Sequence, residues 1–105
     1  MNVVDGRVES FAVKIGARCV FQRVWHGWVW AARGPFEGEG ASFEFRDRHR
    51  FPDGGSFVSV MRGRLIGDGS RARGTVETSG TWPRSGGGRA PCESSLAFEA
   101  TKPEG

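Results

Sequence analysis

Apolar residues in this chain recur at every second position, and no segment carries them at the 3.6-residue spacing of a helix. Phe11, Val13 and Ile15 alternate with Ala12 and Lys14. Phe43 and Phe45 alternate with Glu44 and Arg46, and Leu96, Phe98 and Ala100 close the pattern. Side chains on a strand point to opposite faces in turn, so this period marks half-buried strands. Turn residues stand between the runs: Gly34-Pro35, Phe51-Pro52-Asp53-Gly54-Gly55, Gly67-Asp68-Gly69-Ser70 and the triplet Gly86-Gly87-Gly88. The 17 glycines among 105 residues exceed twice the usual share and fit a β protein with many tight turns.

The expectation is one all-β domain over residues 1–105, with frayed ends at 1–6 and 101–105. The first strand is placed over Phe11 to Ile15, with a break allowed at Gly16. Cys19 to Ala32 reads as a second extended stretch and Glu39 to Arg46 as a third. Phe57 to Ile66 and Arg71 to Ser79 form the clearest hairpin. Trp82 to Pro91 reads as a loop, and Ser94 to Ala100 as the last strand. Six to seven antiparallel strands make a β-sandwich or a small β-barrel, and periodicity leaves both closures open. A chain of this size buries roughly two-thirds of its unfolded surface, enough for one core without a structural metal.

No apolar run approaches the ~20 residues of a membrane span. Met1 to Ser10 lacks the apolar stretch of a signal peptide. The chain is therefore expected to be cytoplasmic or the mature segment of a secreted protein. Cys19 and Cys92 are its two cysteines. Bonded, they would staple the first third of the fold to its last strand and place it in an oxidising compartment, secreted or at the cell surface. Unbonded, they are two buried thiols of a cytoplasmic protein. Two cysteines and two distant histidines have no metal-ligand spacing, so no metal is expected. No motif implies a cofactor.

The net charge is +3, and of 15 basic residues only Lys14 and Lys102 are lysines. Placement matters more than the total. A turn centred on Asp68-Gly69 pairs Ile66 with Arg71, Leu65 with Ala72 and Arg64 with Arg73. Met61, Leu65, Ala72 and Val76 then face the core. Arg62, Arg64, Arg71 and Arg73 share the outer face with Glu77, a candidate anion-binding surface. Like charges directly opposite are destabilising by a few tenths of a kcal/mol. Such a face implies an anionic polymer or glycan, or glutamates from a neighbouring strand such as Glu37 and Glu39.

Glu44, Arg46, Arg48 and Arg50 share one face of the third strand. Asp47 and His49 would share the other with Phe43, Phe45 and Phe51. Inward Asp and His are costly unless paired. The simpler expectation is that the strand ends near Arg46 and both lie in a loop; the alternative is a polar cluster at the mouth of a barrel. Trp25, Trp28 and Trp30 crowd one segment around His26. His26, Trp28 and Trp30 share a face with Trp25 opposite, as a core or as a ligand-stacking platform or pocket lining. The G-x-S-x-G, H-E-x-x-H and P-loop signatures are missing, and no catalytic residue is identified.

Several short motifs run from Val13 to Ala100. Ala17-Arg18-Cys19 ends a strand. Gly63-Arg64-Leu65 is a Gly-Arg-aliphatic step within a later strand, and Ala72-Arg73-Gly74-Thr75 has the form of an Ala-x-Gly-Thr turn into the next strand. Cys92-Glu93-Ser94 and Phe98-Glu99-Ala100 close the chain. In this order the chain resembles small two-cysteine β-rich modules of secreted proteins from GC-rich, actinobacterial-type bacteria. The resemblance implies secretion and a Cys19–Cys92 bond, and implies no particular chemistry. A second likeness, to small cyclase-type β-barrels similar to allene oxide cyclase, is carried by Gly38-Glu39-Gly40, Asp53-Gly54-Gly55 and the Gly-rich hairpin. The leading expectation is a non-enzymatic extracellular binding module acting through the arginine face. The alternative is a small barrel with an internal apolar pocket that binds or cyclises a small ligand.

Overall fold

The computed structural model describes residues 2–4, 7–20, 25–33, 41–67 and 69–101. Every regular element among them is a strand: β1 (Asn2–Val4), β2 (Arg7–Cys19), β3 (Trp25–Arg33), β4 (Ser42–Arg50), β5 (Ser56–Ile66), β6 (Arg71–Pro83) and β7 (Arg89–Thr101). All pair antiparallel. One path runs β3-β2-β7-β6-β5-β4, and β1 lies beside the start of β2. The sheet curls into a half-barrel, so the fold is all-β and barrel-like. Gly34-Pro35, Glu37, the Gly38 to Gly40 segment and Asp68 lie outside the described residues.

The strands are longer than the alternation predicts. β2 passes through Gly16 without a break and ends at Cys19. Asn2–Val4, expected to fray, pair with β2. Ala72-Arg73-Gly74-Thr75, expected as a turn, lies inside β6. The expected loop from Trp82 shrinks to 84–88, where Gly86, Gly87 and Gly88 all hold positive φ. Backbone pairing extends a strand as far as a partner is available, even where side chains stop alternating. β6 shows this, with partners on both sides from Arg71 to Thr81 and on the β7 side as far as Pro83.

The curl is encoded by absent side-chain atoms. Gly63 and Gly74 are cross-strand partners on the inner face of β5 and β6. A Cβ at Gly74 would collide with the Arg62 carbonyl oxygen, and one at Gly63 would meet the Phe43 ring. The sheet therefore bends here more tightly than side chains allow, as at a barrel corner.

Two apolar clusters fill the concave side. The larger holds Phe11, Ile15, Trp30, Phe43, Met61 and Val76 among others. The smaller holds Ala17, Cys19, Phe57, Ala90 and Cys92, with Trp28, Phe51 and Trp82 packed against it. Burying one side chain such as Phe57 contributes about 1.5–3 kcal/mol. The two ends of the sheet meet differently. The backbone ladder between β2 and β7 has two residue pairs, Arg18↔Glu93 and Cys19↔Cys92, extended by the Val20 amide donating to the Pro91 carbonyl, and the Phe11 and Phe98 rings pack edge-on between the same strands. Cys19 and Cys92 face each other there and are bonded. At the opposite seam β3 and β4 form no ladder, and side chains bridge them instead.

Candidate functional site

Three groups of polar and aromatic side chains stand out: the hairpin arginines, a polar chain inside the curl, and an aromatic groove at one mouth.

The hairpin register is the one expected, with Ile66↔Arg71, Leu65↔Ala72 and Arg64↔Arg73. Arg62, Arg64, Arg71 and Arg73 are all exposed on the outer face, and Met61, Ala72 and Val76 are buried. Three of the four guanidinium groups have carboxylate partners. Arg62 bridges Glu44 at 3.4 Å and Glu77 at 3.5 Å. Glu99 of β7 takes Arg71 at 3.6 Å and Arg73 at 3.9 Å. Exposed pairs of this kind contribute about 0–1 kcal/mol each. Their effect is to neutralise the like-charge crowding rather than to stabilise the fold.

Asp47 and His49 are not in a loop. β4 continues to Arg50 and sets both on its inner-facing positions, His49 half-buried and Asp47 still exposed at the seam. The cost of placing them there is met by partners from distant strands. Trp30 Nε1 donates to Asp47 Oδ2 at 3.1 Å, across the seam between β3 and β4. His49 Nε2 lies 3.0 Å from Ser59 Oγ, which in turn lies 2.8 Å from Thr78 Oγ1. Ser59 and Thr78 are fully buried. The His49 ring packs against Trp28 and Trp30. Burial pushes its pKa down, and the Asp47 carboxylate opposes this in part. The imidazole is therefore held neutral, as one link of a hydrogen-bonded chain. Ser59 lies 0% exposed beneath His49, so this Ser–His pair offers no accessible nucleophile.

The tryptophans divide as the alternation requires. His26, Trp28 and Trp30 point inward, and Trp25 points outward. Trp30 belongs to the core. Trp28 packs on Phe51 and Phe57 with ring centroids near 5 Å. His26 stacks on Trp82 at 3.9 Å and 17°. Trp25 lies across the cross-strand glycine pair Gly16 and Gly27, whose missing side chains make room for its indole, and remains 44% exposed. Together these residues line an open groove of about 540 Å³ bounded by Trp25, His26 and Trp28 of β3, Phe51 and Asp53 of the β4–β5 turn, and Trp82 of β6. The indole Nε1 of Trp28 is buried with no hydrogen-bond acceptor. A buried donor left unpaired costs about 1–3 kcal/mol.

The groove's far wall is built by residues whose role the alternation does not reveal. Trp82 rests on Gly55, where any Cβ would strike its ring. The turn from Phe51 to Gly55 closes through two backbone hydrogen bonds, Phe51 N to Gly55 O and Gly54 N to Phe51 O. Arg89 of β7 donates to the Gly54 carbonyl and, at 2.6 Å, to Thr81 Oγ1, pinning that turn to β6. The only sequence signal for the wall is the turn chemistry of Pro52-Asp53-Gly54. Nothing in the alternation marks Arg89.

Comparison with protein-family models, with curated proteins and with solved structures found no match. The site therefore stands on its geometry. No group of three or more His, Cys, Asp or Glu among the described residues is arranged to hold a metal ion.

Proposed function

We propose that this chain is a non-enzymatic binding module of an oxidising, extracellular compartment, and that its ligand seat is the aromatic groove at the mouth of the half-barrel. One observation carries the reading. Trp25, His26, Trp28, Phe51 and Trp82 converge on one groove. Ligand sites are concave and mostly apolar, with a few placed polar groups. A planar ring ligand would bury apolar surface against the indoles. Asp53 at the rim supplies an acceptor for a ligand amine. The Cys19–Cys92 bond supports the compartment, because structural disulfides persist where thiols are not kept reduced. The hairpin arginine face, largely paired with glutamates, has less unmet charge to offer a ligand.

The test is tryptophan fluorescence titrated with planar, non-fluorescent aromatics such as adenosine, caffeine and menadione. Saturable quenching by one of them, lost or weakened in Trp25→Ala, is expected. Emission that stays indifferent to the whole panel removes the groove as a ligand seat.

A further inference from the structure

Beyond Glu44, the outer face of β4 carries three arginines with no carboxylate partner among the described residues. Arg46, Arg48 and Arg50 point outward at successive alternate positions. Their cross-strand neighbours on β5 are Val60, Val58 and Ser56, none of them acidic. None of the three has a carboxylate partner among the described residues, in contrast to Arg62, Arg71 and Arg73. On the other side β4 has no strand neighbour among the described residues. Alternate residues on a strand are about 6.8 Å apart. That spacing is close to the separation of successive phosphates along an extended nucleic-acid strand. The row also leads directly to the groove, since Arg50 is followed by Phe51 and the turn that forms its wall.

An arginine row running into an aromatic platform combines the two components of single-strand recognition. Cations track the backbone, and indole faces accept unpaired bases without regard to sequence. Trp25, seated across Gly16 and Gly27 and 44% exposed, supplies such a face. Asp53 offers an acceptor to the edge of a base. We infer that the ligand of the groove is an unpaired base of a single-stranded nucleic acid whose adjoining phosphates lie along Arg46, Arg48 and Arg50. This rests on the groove reading and adds the chemical class of the ligand to it.

The experiment is fluorescence anisotropy of a fluorescein-labelled dT10 oligonucleotide with the full chain over a range of salt. Adenosine quenching of the tryptophans is followed in parallel. Three phosphate contacts predict a slope of log affinity against log salt of about −2, reduced to about −0.7 in Arg46→Gln/Arg48→Gln. Both positions are solvent-facing, so the fold is retained. Trp25→Ala is expected to weaken dT10 binding at least about fivefold at every salt concentration. Adenosine quenching without dT10 binding overturns the nucleic-acid inference and leaves the groove standing. Loss of both sinks both. Equal competition by a heparin oligosaccharide, with Trp25→Ala unaffected, also overturns it, since binding would then be a matter of charge alone.

Discussion

Reducing the Cys19–Cys92 bond should cost this fold a large share of its stability. The bond joins residues 73 apart in sequence. A closed loop of that length restricts the unfolded chain by about 4.5 kcal/mol at 25 °C in the chain-entropy account. A domain of this size has about 5–15 kcal/mol in total. The structure gives little to compensate. β2 and β7 share a two-residue ladder, the Val20 to Pro91 hydrogen bond, Ser94 Oγ donating to the Gly16 carbonyl, and inner-face packing that includes the edge-on Phe11 and Phe98 rings. Guanidinium denaturation of oxidised and reduced wild-type protein isolates the cross-link, because the buried sulfur atoms stay in place. With a slope of about 3 kcal/mol/M, the midpoint should fall by about 1.5 M on reduction. Cys19→Ala/Cys92→Ala should fall further, since both sulfurs are buried and their removal leaves a cavity. Intact mass after denaturing alkylation first establishes that the starting protein is bonded. A midpoint shift below about 0.3 M in bonded protein would refute the reasoning. It would mean that the inner-face packing, not the staple, holds β2 to β7.

Three further outcomes follow from the geometry. Gly74→Ala places a Cβ against the Arg62 carbonyl oxygen, and should cost about 1–3 kcal/mol in thermal unfolding; an unchanged melting temperature would mean that the corner relaxes freely. Ser59→Ala strands His49 Nε2 and Thr78 Oγ1 inside the curl and should cost about 1–3 kcal/mol by chemical denaturation, whereas an unchanged midpoint would show that both find other partners. His49 is neutral in the folded state with a depressed pKa, so the unfolded chain binds the extra proton. Stability should therefore fall as pH drops from 7 through about 6.5 and onward until the folded pKa is reached, and His49→Gln should flatten that slope.

The register of the β5–β6 hairpin was legible because a short turn fixes pairing and alternation then fixes every face. Arg64↔Arg73 and the inward Met61 and Val76 follow from that alone. The arginines' partners were not legible in the same way. Glu44 and Glu99 belong to strands that flank the hairpin on either side, and adjacency in a sheet is not written in a single chain's pattern. Asp47 and His49 show the harder limit. Polar residues at inward positions argue for a loop on local grounds. Their partners Trp30, Ser59 and Thr78 come from three other strands, so the compensation exists only once the sheet has curled. Half of the groove was visible as the segment that holds Trp25, His26 and Trp28. The other half depends on Trp82 and on the turn that Arg89 pins, brought there by pairing rather than by proximity in sequence.

The narrow β2–β7 junction also has a consequence for the order of assembly. β4 to β7 are joined by neighbouring hairpins, and β2 and β3 by another, so each set closes through short excursions of the chain. Joining the two sets means bringing β2 to β7, where Cys19 meets Cys92, the one distant strand pairing among the described residues. Local hairpins form in microseconds, and distant closures set the slower rates. Refolding from the reduced state should therefore be limited by this one meeting, while a chain that keeps its bond starts with the encounter already made. Stopped-flow refolding of the two forms should show the bonded chain folding faster; equal rates would place the slow step within the β4–β7 meander.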